Sequence, residues 1–99
     1  MSEVNKRVAL QFIETMGRGD RDGFAATLAD DCVAIAKGFA HVSGRRERDE
    51  MIATAAGFRA IAPDGFKPII HSVTAEEDRV AVEWEGQAVL ARSEEHTSE

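Results

Sequence analysis

One stretch constrains this chain more than any other: Arg79–Ala91, reading Arg-Val-Ala-Val-Glu-Trp-Glu-Gly-Gln-Ala-Val-Leu-Ala. Val80, Val82 and Trp84 fall on one face of an extended chain, and Ala81, Glu83 and Glu85 fall on the other. A period of two, carried by β-branched residues and the single Trp, marks a half-buried strand. Lys67–Ala75 alternates more weakly, with Ile69, His71 and Val73 set against Ile70, Ser72 and Thr74. The polar Glu76-Glu77-Asp78 between the two runs predicts an antiparallel hairpin.

The upstream segments read as helices, each with one apolar face that needs a sheet to cover. Ser2 is a candidate N-cap, with Glu3 in the first turn where the helix dipole favours an acid. Val4, Val8, Phe12 and Met16 then recur every four residues, joined by Ala9 and Ile13, while Glu3, Arg7, Gln11 and Glu14 take the opposite side. Gly17-Arg18-Gly19 ends this helix, a glycine supplying the left-handed cap. Asp20 caps a short second helix to about Ala29, burying Phe24 and Leu28. After Asp30-Asp31, Cys32–Ala36 reads as a short buried strand, and Phe39–Val42 as a second one. Ser43-Gly44 opens a third helix, Arg45 to about Ala62, with Met51, Ala55, Phe58 and Ala62 as its stripe and Ile52 beside it. Pro63-Asp64-Gly65 stops it before the hairpin. Helices first and antiparallel strands later give an α+β arrangement, not a βαβ one. Three helices on a curved antiparallel sheet would leave a pocket between them.

Composition narrows the partners. With 99 residues there is room for one small domain, which buries only about 60–65% of the surface its unfolded chain exposes. A net charge of −6 provides no basic face for nucleic acid or an acidic membrane. A lone cysteine, Cys32, allows no disulfide framework and no cysteine metal site within one chain. The N-terminal residues lack the apolar core of a signal peptide, and no stretch is long enough to span a bilayer, so the expected location is cytoplasmic.

The last eight residues, Arg92–Glu99, break with everything before them: no apolar residue, no alternation, no helical face. Arg-Ser-Glu-Glu-His-Thr-Ser-Glu resembles the conceptual translation of a common sequencing-library adapter, matching it in order throughout. The domain is therefore read as residues 1–91, partial at its C-terminal side, with 92–99 as a non-native tail.

Several landmarks, taken in order, carry a family resemblance. They are Gly17–Asp20 closing the first helix, Phe24 with Leu28, Leu28–Asp31 leading into a strand, Ser43–Arg45, and Asp78–Trp84. Over Val4–Ala91 the chain resembles the SnoaL-like and ketosteroid-isomerase-like branch of the nuclear transport factor 2-like (NTF2-like) superfamily. The resemblance implies a cone-shaped α+β barrel around an apolar pocket, a homodimer packed through the sheet, and two further strands beyond Ala91. It also implies a domain that binds an apolar metabolite and, where catalytic, performs cofactor-free acid/base chemistry of cyclase, isomerase or hydrolase type. The alternatives are a non-catalytic dimerisation or protein-association module of the same superfamily, and a fragment without function.

Ketosteroid isomerases use a carboxylate base with a Tyr and a protonated Asp as oxyanion donors. Counted from the Leu28–Asp31 match, the base position falls at Ala36, and the chain contains no Tyr, so that machinery is not expected here. His71 and His41 are the candidate acid/base groups, His71 because its strand face also carries Ile69 and Val73. The plainer reading of each is a hydrogen-bonded histidine at a sheet margin, and two histidines without a third ligand make a poor metal site. Phe12, Met16, Met51, Phe58 and Trp84 are the candidate pocket wall, which plain core packing explains as well. Glu83 and Glu85 share a face read as solvated. Arg45, Arg46 and Arg48 crowd a helix start, where free N–H groups can help hold an anion, but interleaved Glu47, Asp49 and Glu50 favour self-neutralised surface. No cofactor and no metal is called for.

Overall fold

The computed structural model describes residues 2–38 and 44–90. Its elements run α1 (Ser2–Arg18), α2 (Arg21–Ala26), β1 (Val33–Ala36), β2 (Gly44–Glu47), α3 (Arg48–Gly57), a 3-10 helix (Phe58–Ala60), β3 (Lys67–Glu76) and β4 (Arg79–Gln87). This is the expected α+β class, with three helices and antiparallel strands. Among the described residues the strands form two separate two-stranded sheets, β1 with β2 and β3 with β4, where one curved sheet was expected. The segment read as a strand at Phe39–Val42 lies outside the described residues.

The first helix ends as its glycines require. Gly19 takes φ of 72°, its N–H donates to the Met16 carbonyl at 3.2 Å, and the Asp20 N–H reaches back to the Thr15 carbonyl at 3.0 Å. This is a Schellman closure, which satisfies carbonyls that the helix end leaves over. Asp20 then starts α2, its Oδ1 accepting the Gly23 N–H at 2.9 Å. Asp20→Ala is expected to cost about 1 kcal/mol by urea denaturation, with Asp20→Asn nearly neutral. α2 ends at Ala26, earlier than expected, and Arg48 donates to the Ala25 and Leu28 carbonyls at 3.0 and 3.4 Å.

The third helix starts later than the sequence suggests. Gly44–Glu47 is strand β2, paired with β1 in the register Val33 to Glu47 and Ala36 to Gly44. The helix begins at Arg48, where the Glu50 carboxylate accepts the Glu47 backbone N–H at 2.9 Å. The run Val33–Ala36 was expected to be buried, but Val33 and Ile35 are 42% and 68% exposed. Among the described residues β1 pairs only with β2, and the face that carries Val33 and Ile35 stays largely exposed.

The hairpin forms with a two-residue turn, Glu77-Asp78, Glu77 adopting φ of 55°. Its ladder runs from Glu76–Arg79 through Val73–Val82 and Ile70–Trp84 to Lys67–Gln87, with a bulge between Ile70 and Ser72. The bulge leaves His71 unpaired and reverses the phase of the N-terminal half of β3. Ile70, Val73 and Ala75 therefore share the face of Trp84, Val82 and Val80, which turns toward α1. Among the described residues the buried apolar core is small: Ile13, Phe24, Ile52 and Ala62, with Thr15 buried beside them and bonded to the Gln11 carbonyl at 2.8 Å.

Candidate functional site

Phe12 and Met16 lie one helical turn apart on α1, so both side chains leave the same face. Met51 and Phe58 point at them from α3 and the 3-10 helix that extends it. These four residues line one open hollow of about 290 Å³, closed by Phe24 of α2, Ala34 of β1, Arg46 of β2, Thr54, Ala55 and Phe66. Phe12 and Phe24 meet at 5.0 Å between ring centres, and Phe66 meets Phe58 edge-on at 5.8 Å. A neighbouring cleft shares Met16, Phe24 and Ala55 with it and adds Ile52, Asp20, Arg21 and Arg59, while others are more polar. One groove along α1, for example, is flanked by Glu3, Lys6, Arg7 and Glu14.

Trp84 is not among the hollow's lining residues. It stacks on the far side of Phe66, with ring centres 5.4 Å apart, and borders a separate open groove between α1 and β4. Phe66 is the residue that sequence reasoning passed over. It follows the Pro63-Asp64-Gly65 turn and belongs to no periodic run, yet it joins Phe58, Trp84 and the hollow. Its only advance signal was being an aromatic residue directly after a helix stop.

The three arginines part company. Arg45 and Glu47 share a strand face and pair at 3.2 Å, both exposed. Arg48 is committed to the Ala25 carbonyl of α2 and the Leu28 carbonyl just beyond it. Arg46, between them on β2, is half-buried, lies opposite Ala34 in the ladder and lines the hollow. The expectation that all three crowd a helix start is thus corrected: Arg45 and Arg46 are on strand β2, and only Arg48 is on α3.

His71 does not line the hollow. His41 lies outside the described residues. His71 sits at the bulge, about half exposed, on the face away from α1, with Nε2 2.9 Å from Glu85 Oε1. The expectation that it shares its face with Val73 and looks into a pocket is corrected by the bulge. Beside it Ser72 Oγ donates to Glu83 Oε1 at 2.7 Å, so the outer face of the hairpin is a polar ladder. Cys32 is half-buried, with Sγ 3.7 Å from the Met51 sulfur.

A family model described as a SnoaL-like domain matches residues 9–98, most of the chain. Neither the curated proteins nor the solved structures contain a match.

Proposed function

The chain belongs to the SnoaL-like domain family, of the NTF2-like superfamily, and from that premise we propose that it binds a small apolar molecule in the hollow between α1, α2 and α3. The observation that carries this is the lining: Phe12, Phe24, Phe58 and Phe66 with Met16 and Met51 turned toward one space. Aromatic and thioether groups in a concave site bind flat apolar rings through area and dispersion, with a few polar groups fixing orientation. At about 290 Å³ the hollow sits near the lower end of ligand-pocket volumes and suits a molecule of about two rings. A cytoplasmic metabolite fits this reading.

Trp84, through its stack on Phe66, reports on occupancy. Titration of the full chain with terpenoid, steroid and polyketide fragments is expected to give a saturable change in Trp84 emission for at least one class. No saturable response across that panel sinks the reading. His71→Ala is expected to leave the response unchanged within about twofold, because His71 faces away from the hollow. A role for His71 in acid/base catalysis would instead place substrate at the outer face of the hairpin, beside Glu85.

A second reading, self-association, rests on β4. Among the described residues it pairs only with β3, so its other edge offers unpaired N–H and C=O groups to a second strand. A concentration-dependent dimer in sedimentation supports it; a monomer at every concentration removes it.

A further inference from the structure

We propose that the ligand of this hollow carries a short, unbranched hydrocarbon arm that enters the narrower cavity next to it, a proposal that rests on the apolar-ligand reading and names the shape of that ligand. Met16, Phe24 and Ala55 are walls of both spaces, so the two adjoin across these three side chains. The narrower cavity has about 90 Å³, against about 290 Å³ for the hollow. An apolar cavity of about 150 Å³ accepts a benzene ring, so about 90 Å³ suits a chain of about four carbons and not a further ring.

Helix geometry explains why the two spaces adjoin. Residues three and four apart lie on one side of a helix. Met51, Ala55 and Phe58 make one row along α3 and the 3-10 helix after it, and this row lines the hollow. Ile52, Ala56 and Arg59 make the next row, which lines the narrower cavity. Ala55 borders both, and with Ala56 beside it the two rows carry only methyl groups where they meet. Larger side chains there would fill the space, as packed interiors ordinarily do. Met16, on the opposite wall, is unbranched and flexible, so it can yield to a chain passing between the two. The chemistry of the arm follows from the other walls. Thr15 Oγ1 donates to the Gln11 carbonyl at 2.8 Å, Asp20 Oδ1 accepts the Gly23 N–H at 2.9 Å, and Arg59 Nη1 donates to the Arg18 carbonyl at 2.9 Å. Those three are engaged with the chain itself, and Arg21 is exposed. The arm therefore meets Met16, Phe24, Ile52, Ala55 and Ala56, a surface that selects hydrocarbon.

The test compares naphthalene, 2-(n-butyl)naphthalene and its isomer 2-(tert-butyl)naphthalene by equilibrium dialysis against the full chain. The isomers contain the same atoms, so general apolar partition gives neither a large advantage. The n-butyl isomer is expected to bind about tenfold tighter, the gain from burying about two more CH₂ groups. Ala56→Leu, which fills the narrower cavity and leaves the hollow's own walls unchanged, is expected to remove that preference while keeping naphthalene affinity within about twofold. Ala53→Leu makes the same change on the same helix at an exposed residue that lines neither space, and is expected to keep the preference. Naphthalene binding with equal affinity for the two isomers overturns this proposal and leaves the apolar-site reading standing, and so does a preference that survives Ala56→Leu. Binding of none of the three overturns both. Where the Ala56→Leu variant does not fold, the native chain's ratio for the two isomers decides the matter.

Discussion

Phe24→Ala is expected to lower stability by about 3–5 kcal/mol, as a displaced urea midpoint with an unchanged slope. Phe24 is 3% exposed, on a helix of six residues that is too short to persist without packing. Its ring meets Phe12 at 5.0 Å and is the main apolar anchor of α2 on α1. A domain has about 5–15 kcal/mol in total, so this loss is a large fraction of the whole. Ile35→Ala provides the contrast. It removes a comparable apolar side chain that is 68% exposed, and is expected to change stability by no more than about 0.5 kcal/mol. Were Ile35→Ala to cost as much as Phe24→Ala, β1 would be buried as its sequence suggests, and the two-sheet arrangement would be wrong.

The two substitutions also mark where sequence reasoning succeeds and where it stops. α1 was legible because its apolar residues recur at helical spacing and because a glycine at 19 can supply the left-handed residue that closes a helix. The hairpin was legible because Val80, Val82 and Trp84 alternate against charge. β2 was not, because Gly44-Arg45-Arg46-Glu47 contains no apolar residue to display a period. Its strand state comes from pairing with Val33–Ala36, a tertiary fact. Without that pairing Ser43-Gly44-Arg45 looks like a helix start, and the helix was begun too early.

The site divides the same way. Phe12, Met16, Met51 and Phe58 were legible because a helical stripe facing a core also faces whatever hollow the core contains. His71 was misplaced by a single bulge, which leaves no mark in composition and moves its side chain to the opposite face. Arg46 was hidden inside a charged cluster. Which of three arginines turns inward depends on strand parity, and parity could not be counted until the strand was known.

The second large effect is expected at Gly65, where alanine is predicted to cost about 2–4 kcal/mol and also to weaken ligand binding. Gly65 has φ of 76°, a conformation in which a side chain is strained, and a Cβ there would land on the Gly17 carbonyl oxygen. That oxygen accepts the Phe66 N–H at 2.9 Å, tying the start of the hairpin to the end of α1. Moving Gly65 therefore moves Phe66, whose ring stacks on Trp84, meets Phe58 and lines the hollow. Gly57→Ala is the matched control. Gly57 is the last residue of α3, has no positive φ, and a Cβ there meets nothing within 4 Å. Alanine at 57 is expected to stabilise by about 0.5 kcal/mol, through the unfolded chain and helix propensity. The same chemical change thus takes opposite signs at two glycines eight positions apart. Two denaturation curves test the sign, and a Trp84 titration tests whether the Gly65 variant loses binding while still folded. If Gly65→Ala proves neutral, the contact between Gly17 and Gly65 does not hold Phe66 in place, and the hollow as described loses one wall.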